Sequence, residues 1–181
     1  MEFLYIFLGL MALVIVVDFA VKPFVRSKDI STLLNEISSL YNLTLTKVKH
    51  KDYHYILEND KAIFYIRILD VNIPSCITVN NKTTWSLTWG GPKNNPGRRY
   101  PNQRYVNELI EFLKDEYKSE KRAVKIVLVY KRAEQILKYI NESELKEITV
   151  KDDAYGIKVI NYTSFKESFE EIKNEVLVWK K

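Results

Sequence analysis

The first 25 residues form an apolar stretch that differs from the rest of the chain. From Phe3 to Val17 no side chain is charged, and Asp18 alone interrupts the run before Lys22. A helix of 19 residues, the length of Phe3–Val21, extends about 28 Å, which is close to the hydrocarbon thickness of a bilayer. The pattern therefore predicts one membrane-spanning helix within residues 1–25.

Two other interpretations of this stretch fit its residues less well. A cleaved signal peptide has a basic start and small residues at its cleavage site, whereas this chain starts with Met1-Glu2 and has no A-x-A pattern there. A buried core helix is normally shorter and carries a polar stripe. Lys22, Arg26 and Lys28 follow the stretch and no Lys or Arg precedes it. The positive-inside rule therefore predicts a single-pass protein of the cell membrane with a cytoplasmic body.

Beyond residue 25 the spacing of the apolar residues alternates between segments with the repeat of a helix and segments with the repeat of a strand. Leucines and isoleucines on one face predict a helix over Ser31–Asn42. The period then becomes two, which predicts strands from Leu43 onward. The predicted strands are Leu43–Lys49, a hairpin of Tyr53–Leu57 with Ala62–Leu69, and a hairpin of Cys76–Val79 with Thr83–Trp89.

The second half of the body contains a loop and a buried strand. Gly90–Tyr100 holds three of the five glycines and two of the five prolines, which predicts the loop. The unbroken apolar run Val124–Tyr130 predicts the strand. Further predicted elements are helices from about Pro101 and over Ala133–Ile140 and Phe165–Leu177, with short strands over Glu147–Val150 and Ile157–Ile160. This order predicts an α/β fold, with a mixed β-sheet flanked by helices.

Length and charge limit the classes of function. With 181 residues, 46% of them hydrophobic, the chain has room for the N-terminal segment and one domain over residues 26–181, so two enzymatic domains are excluded. After residue 22 the chain has 27 Lys and Arg against 21 Asp and Glu, a net charge of +6. This positive excess favours binding to an anionic partner, either nucleic acid or acidic lipid headgroups. It is equally consistent with a charge that only keeps the protein soluble.

Four segments of the body carry a resemblance to a known family. They are DYHYILENDKAIFYIRILD (Asp52–Asp70), TVNNKTTWSLT (Thr78–Thr88), NNPGRRYPNQRYVNELIEFLK (Asn94–Lys114) and VKIVLVYKRAEQIL (Val124–Leu137). In this order they resemble the nuclease-related (NERD) domain, which belongs to the PD-(D/E)xK nuclease fold. The resemblance covers about Ser31 to Val176, and it implies a mixed sheet flanked by helices of the restriction-endonuclease-like kind.

The catalytic motif of that family is altered in this chain. Active members place an acidic residue before Glu-x-Lys, because the carboxylates hold Mg²⁺ and the lysine activates the attacking water. Here Arg67-Ile68-Leu69 stands in the place of Glu-x-Lys, and a cation there would repel a divalent ion. Asp52 matches the first acidic residue, although an ungapped comparison places His54 there, and Glu36 matches an early glutamate of the family. We therefore predict a nuclease-like fold without activity and without a bound metal.

An active enzyme with rearranged ligands is the alternative. In that case Asp52 and Glu36 would be catalytic, Mg²⁺ would be the cofactor, and Asp70 or Glu58 would replace the lost glutamate. Strand alternation speaks against Asp70, which lies three residues after Arg67 and should project from the opposite face of its strand.

Candidate residues for nucleic-acid binding lie in and after the glycine-rich loop. They are Lys93, Arg98, Arg99 and Arg104, which could contact phosphates, together with Gln103, which the resemblance implies. The same cations could instead approach anionic lipid. No motif for a small-molecule substrate is present, since Gly90-Gly91 lacks the rest of a phosphate-binding loop. The predicted function is binding of nucleic acid or a protein partner at the inner membrane face, with a structural role in a membrane complex as a further alternative.

Overall fold

A computed structural model describes residues 2–91, 99–141 and 144–178. The helices are α1 (Glu2–Val16), α2 (Lys22–Tyr41), α3 (Ile110–Lys114) and α4 (Phe165–Val178), and a π-helical turn over Val17–Val21 joins α1 to α2. The strands are β1 (Thr44–Lys47), β2 (Tyr55–Glu58), β3 (Ala62–Asp70), β4 (Ser75–Val79), β5 (Trp85–Trp89), β6 (Asn102–Tyr105), β7 (Arg122–Tyr130), β8 (Gln135–Asn141), β9 (Glu144–Glu147) and β10 (Ile157–Asn161). Short 3₁₀ turns over Asn107–Leu109 and Tyr162–Ser164 lead into α3 and α4.

The strands form two mixed sheets of five strands each. The first sheet has the order β1-β2-β3-β7-β10, in which β2 is antiparallel to both neighbours and β3, β7 and β10 are parallel. The second sheet has the order β6-β5-β4-β8-β9, in which β4 and β8 are parallel. The chain therefore passes from the first sheet to the second twice, once after β3 and once after β7.

The strand period of β3 separates two apolar clusters on the two faces of the first sheet. Phe64, Ile66 and Ile68 pack with α2 and α4 on one face. Ile63, Tyr65 and Leu69 pack with the second sheet and α3 on the other. Because successive side chains of a strand point to opposite faces, one strand contributes to both cores. The body is thus layered, with helices on one face of the first sheet and the second sheet on the other.

Local hydrogen bonds explain where two of these elements end. Asn42 has φ 52°, in the left-handed region, and the N–H of Leu43 donates to the carbonyl of Ser38 at 2.9 Å, which ends α2. Between β2 and β3 the side-chain oxygen of Asn59 accepts from the N–H groups of Lys61 and Ala62, each at 2.9 Å. This bonding pattern closes the first hairpin.

The prediction of an α/β fold with helices flanking a mixed sheet is confirmed, but one predicted helix is a strand and another begins later than predicted, after a strand. The segment after Pro101 pairs with β5 as β6 and becomes helical only near Asn107. Residues 133–140, predicted as a helix, instead contribute to β8 beside β4. Both segments are short, and their pairing with neighbouring strands decides between strand and helix. The described residues form two sheets where the sequence predicted one.

The N-terminal segment is helical and exposed. Within the part of the chain that the structure describes, no helix is both long and apolar enough to cross a membrane, contrary to the spanning helix predicted in residues 1–25. The α1 helix has 15 residues, about 22 Å against the roughly 30 Å of a hydrocarbon core. Large apolar side chains between Tyr5 and Val25 are nevertheless exposed, with Phe19 at 81% and Phe24 at 70%.

Candidate functional site

The segment that carries the altered motif is the first hairpin, and His54 and Arg67 meet there. His54 lies directly before β2, and its N–H donates to the carbonyl of Ile66 at 2.9 Å. Its ring nitrogen Nε2 lies 3.2 Å from Nη1 of Arg67 on β3. The other ring nitrogen, Nδ1, accepts a hydrogen bond from the N–H of Ile68 at 3.0 Å. The residue that the resemblance places at the glutamate of the motif, Arg67, therefore contacts the residue that an ungapped comparison places at the acidic position, His54.

These contacts keep the His54 ring neutral. Burial, and after it the charge of the neighbouring Arg67 guanidinium, lowers the pKa of His54 to about 4. A protonated ring would carry N–H groups on both nitrogens and would face two donors, the Ile68 N–H and the Arg67 guanidinium. A neutral ring can accept from one of these donors. His54 is thus uncharged at neutral pH.

Arg67 holds a fixed charge at the motif. Its Nη2 donates to the backbone carbonyl of Glu108, in the turn before α3, at 2.8 Å. Its Nε is buried and has no hydrogen-bond partner among the described residues. Burial lowers the pKa of Arg67, and the charges of Asp52 and Glu108 oppose that shift. An arginine remains charged under these conditions, so the positive charge stands where the resemblance implies a metal ligand.

Asp52 is bound by a tyrosine. The hydroxyl of Tyr117 donates to Oδ2 of Asp52, and burial followed by this hydrogen bond raises the pKa of Tyr117. The Tyr117 ring packs edge-on against Tyr53, with 5.2 Å between centroids, and at a tilt of 31° against Tyr65, with 4.3 Å between centroids. Asp52 thus sits beside an aromatic cluster on the second-sheet side of the first sheet.

Lys125 lies under the same aromatic cluster. It pairs in register with Tyr65, and its Nζ donates to the carbonyls of Leu113 and Asp115 at 3.1 and 3.0 Å. Burial lowers the pKa of Lys125. The ammonium group therefore binds carbonyls at the C-terminal end of α3, a favourable position for a cation, and its contacts are structural.

The predicted carboxylates are not gathered into one site. Glu36 lies on α2, on the opposite face of the first sheet from Asp52, and pairs with Lys166 of α4 at 3.0 Å. The proposed replacements are also engaged, because Asp70 pairs with Arg26 of α2 and Glu58 pairs with Lys121 at 2.9 Å. Asp70 and Arg67 contact opposite sides of the sheet, as strand alternation predicts.

Potential metal ligands are spread over the described residues, 2–91, 99–141 and 144–178. Among these residues no group of three or more His, Cys, Asp or Glu could hold a metal ion. The groups around Arg67 are the carboxylates of Asp52 and Glu108 and the neutral imidazole of His54, and Glu108 is bound by Arg104. Such a set does not fit Mg²⁺, which prefers carboxylate oxygens and water.

The predicted nucleic-acid contacts are only partly brought together. Lys93 and Arg98 lie outside the described residues. Arg99 pairs with Glu134, which also accepts from the hydroxyl of Tyr100 at 2.7 Å. The guanidinium of Arg104 binds both carboxylate oxygens of Glu108 at 2.7 and 2.8 Å. Gln103 is exposed beside it on the edge strand β6.

A basic cavity lies at the carboxyl ends of β3 and β7, and the sequence did not reveal it. Its volume is about 570 Å³, and it lies between the start of α2, the ends of those strands and the second sheet. Four cationic residues line it, Lys22, Arg26, Arg104 and Lys131, and Asp70 is the carboxylate among the described lining residues. The first and last of these cations, Lys22 and Lys131, are 109 positions apart along the chain. No local sequence pattern therefore indicates the cavity. We call this cavity the basic pocket.

Comparison with protein-family models, with curated proteins and with solved structures found no match. The resemblance to the nuclease-related domain therefore stays a prediction. The class of protein that the fold defines is a mixed α/β domain with two sheets and an exposed apolar N-terminal helix.

Proposed function

We propose that this protein is a non-catalytic domain of the restriction-endonuclease-like class, held at the inner face of the cell membrane by its N-terminal segment, where its body binds nucleic acid. The contact between His54 and Arg67 carries the proposal. These two residues place a neutral imidazole and a permanent cation at the predicted motif. A nuclease of this class needs carboxylates at that place to bind Mg²⁺.

The surroundings of Arg67 support the loss of catalysis. A divalent ion next to Asp52 would face the guanidinium of Arg67, and like charges at short range repel strongly where water is partly excluded. The hydroxyl of Tyr117 already occupies one oxygen of Asp52. Lys125, the remaining cation near the aromatic cluster, donates to two backbone carbonyls. None of these groups is free to activate a water molecule.

The exposed N-terminal helix supports attachment to a membrane. Apolar patches of this extent on a soluble monomer are uncommon and indicate an interaction surface. The segment is followed by Lys22, Arg26 and Lys28, and basic residues beside an apolar segment are attracted to the anionic inner leaflet. The two features together favour a body on the cytoplasmic side.

The net positive charge of the body supports an anionic partner such as nucleic acid. Arg99 and Arg104 keep about a third of each side chain exposed. A phosphate would compete with Glu134 for Arg99 and with Glu108 for Arg104. We therefore expect binding that is weak and strongly dependent on salt concentration.

The test uses the full chain in a mild detergent. Single-stranded and double-stranded DNA and RNA are incubated with the protein in Mg²⁺ or Mn²⁺, and binding is measured in parallel by fluorescence anisotropy at 50 and 200 mM salt. We expect binding that weakens with salt and no cutting. Cutting that disappears in Asp52→Ala would overturn the proposal, because it would require a functional metal site at Asp52.

A protein partner is the second candidate, favoured by the edge of the second sheet. Tyr139, Ile140 and Leu145 are exposed on the antiparallel pair β8–β9, and β9 is an edge strand. Edge strands with apolar side chains commonly pair with another chain. Salt-sensitive binding of nucleic acid that is reduced in Arg99→Ala and unchanged in Leu145→Ser would count against this second candidate.

A further inference from the structure

The basic pocket has the position of a ligand site in an α/β protein. Its floor is formed where the parallel strands β3 and β7 end, at Asp70 and Tyr130. In open sheets of this type, ligands bind in the crevice outside the carboxyl ends of the strands, where the chain direction diverges. Here the chain leaves the first sheet after β3 and again after β7, and each time it enters the second sheet. The crevice therefore lies between the two sheets.

The charges of the pocket select an anion. The lining contains four cations and one carboxylate, and Asp70 is already paired with Arg26. Glu108 binds Arg104 from outside the lining, and Lys22 also has an interaction partner. Lys131 is exposed and has no ion-pair partner among the described residues. Arginine and lysine together provide many N–H donors for phosphate oxygens. A group with one negative charge fits this lining, with Lys131 as its counter-charge.

The pocket lies next to the exposed apolar N-terminal segment, and this position indicates which kind of molecule carries the anion. Val21 is the last residue of the exposed apolar segment, and it lines the pocket together with the apolar side chains of Pro23, Val25, Val71 and Leu87. A ligand in the pocket therefore touches apolar side chains on one side and cations on the other. A phospholipid has both parts, since its phosphate is joined to glycerol and acyl chains. A free phosphate would leave the apolar wall without a partner.

We propose that the basic pocket binds the phosphodiester headgroup of an anionic phospholipid, with Arg104 and Lys131 contacting the phosphate and Val21, Pro23 and Val25 contacting the glycerol and first acyl carbons. The proposal rests on the proposed attachment of the N-terminal segment to a membrane. The bound headgroup fixes the orientation of the body, because the cations of the pocket come from α2, β6 and the end of β7. The apolar segment supplies attachment and the pocket supplies lipid selectivity.

The experiment measures lipid retention by native mass spectrometry on the full chain in a nonionic detergent. Phosphatidylglycerol and phosphatidylcholine are offered in turn, and inorganic phosphate is added as a third arm. We expect one phosphatidylglycerol retained at least about tenfold more strongly than phosphatidylcholine. The double variant R104Q/K131Q should lose about 30-fold in retention, because each cation near an anionic lipid contributes about 1 kcal/mol and 1.4 kcal/mol is tenfold.

The control variant removes the same charge elsewhere. K82Q/K166Q changes two exposed lysines that pair with Glu116 and Glu36 and do not line the basic pocket. Its retention should equal that of the unchanged protein. Near-ultraviolet circular dichroism from the buried Trp85 checks that both double variants are folded. If R104Q/K131Q is not folded, the single variant K131Q replaces it in the retention measurement.

Several results would overturn the lipid proposal. Equal retention of the two lipids would do so, as would equal retention by R104Q/K131Q and the unchanged protein. Millimolar inorganic phosphate that displaces the lipid would assign the pocket to free phosphate. A single-stranded oligonucleotide that displaces it, with binding lost in R104Q/K131Q, would assign it to nucleic acid. Flotation with phosphatidylcholine vesicles tests attachment separately: if the chain does not float, the proposed membrane attachment fails, whatever the pocket retains in detergent.

Discussion

His54 and Arg67 face each other across the start of the first hairpin, with 3.2 Å between Nε2 of the imidazole and Nη1 of the guanidinium. The predicted resemblance implies an acidic residue at Arg67, and an ungapped comparison implies one at His54 as well. A neutral imidazole beside a guanidinium cannot bind a divalent cation as a pair of carboxylates would. A neutral ring tolerates an adjacent guanidinium, whereas a protonated ring would be repelled by it. The charge state of His54 is therefore linked to the stability of the fold.

The first prediction concerns the pH dependence of stability. The pKa of His54 is about 4 in the folded protein and about 6.5 in an unfolded chain. Between these values the unfolded state binds more protons, so the free energy of unfolding rises with pH. The contribution of His54 is fully present above pH 6.5 and is lost as the pH falls toward 4. With allowance for solvent screening of a half-exposed ring, it is on the order of 1–2 kcal/mol.

Urea unfolding of the unchanged protein and of His54→Gln between pH 7.5 and 4.5 measures this contribution. The difference in the free energy of unfolding between the two proteins should change with pH in that window. The exposed His50 provides the control, and His50→Asn suits its positive φ of 61°. A difference that is independent of pH for His54→Gln would show that the ring does not change its protonation on unfolding.

The second prediction separates the two causes of the His54 shift. Replacing Arg67 by Gln removes the neighbouring charge and leaves the burial of the ring, which is the larger cause. We expect the pKa of His54 to rise from about 4 and to remain below 6.5. An NMR titration of the two histidine ring signals follows this directly, with His50 as the reference in the same molecule. An unchanged pKa of His54 in Arg67→Gln would contradict the electrostatic part of the explanation.

The sequence predicted the elements whose period was strong and long. The closing helix was predicted over Phe165–Leu177 and is observed over Phe165–Val178, because its apolar face continues over several turns. Both hairpins were found because alternation and turn residues agree. The second sheet was not predicted. Its strand β8 has no clean alternation, and it is fixed as a strand by its pairing with β9 and by its parallel pairing with β4, which is far away in sequence.

The sequence predicted the candidate site only for residues that lie close together along the chain. The ungapped comparison that placed His54 at the acidic position pointed to the residue that contacts Arg67. The partners from elsewhere could not be found. The carbonyl that Arg67 binds belongs to Glu108, 41 positions away, and the hydroxyl that binds Asp52 belongs to Tyr117, 65 positions away. Such contacts depend on how α3 packs against the first sheet, which no local pattern encodes.

The third prediction tests the hydrogen bond between Tyr117 and Asp52. In Tyr117→Phe the ring stays packed against Tyr53 and Tyr65, while the carboxylate of Asp52 loses its donor. A hydrogen bond to a charged group contributes about 1.5–3 kcal/mol, and partial exposure of Asp52 reduces this to about 1 kcal/mol. Thermal or urea unfolding should show that loss. The control is Tyr155→Phe, whose ring is 41% exposed, and for it we expect less than about 0.5 kcal/mol.

The last prediction concerns a buried lysine under the closing helix. Lys158 on β10 is 7% exposed, and its Nζ donates to the carbonyls of Val150 and Lys151 at 3.2 and 3.3 Å and pairs with Glu175 of α4 at 2.8 Å. In Lys158→Met the volume is kept, but two carbonyls lose their donor and Glu175 loses its cation. Because an unpaired buried acceptor costs about 1–3 kcal/mol and Glu175 can turn to water, we expect a loss of about 2 kcal/mol.

Urea unfolding measures this loss against Lys166→Met, which removes an exposed ion pair between Lys166 of α4 and Glu36 of α2. That control should lose less than about 0.5 kcal/mol, since exposed ion pairs contribute little. Equal losses in the two variants would contradict the prediction, because the burial of Lys158 and its backbone contacts would then add nothing to an exposed ion pair. A larger loss in Lys158→Met would show that the buried ammonium group stabilises the packing of α4, since it joins Glu175 of the helix to the carbonyls of Val150 and Lys151 before β10.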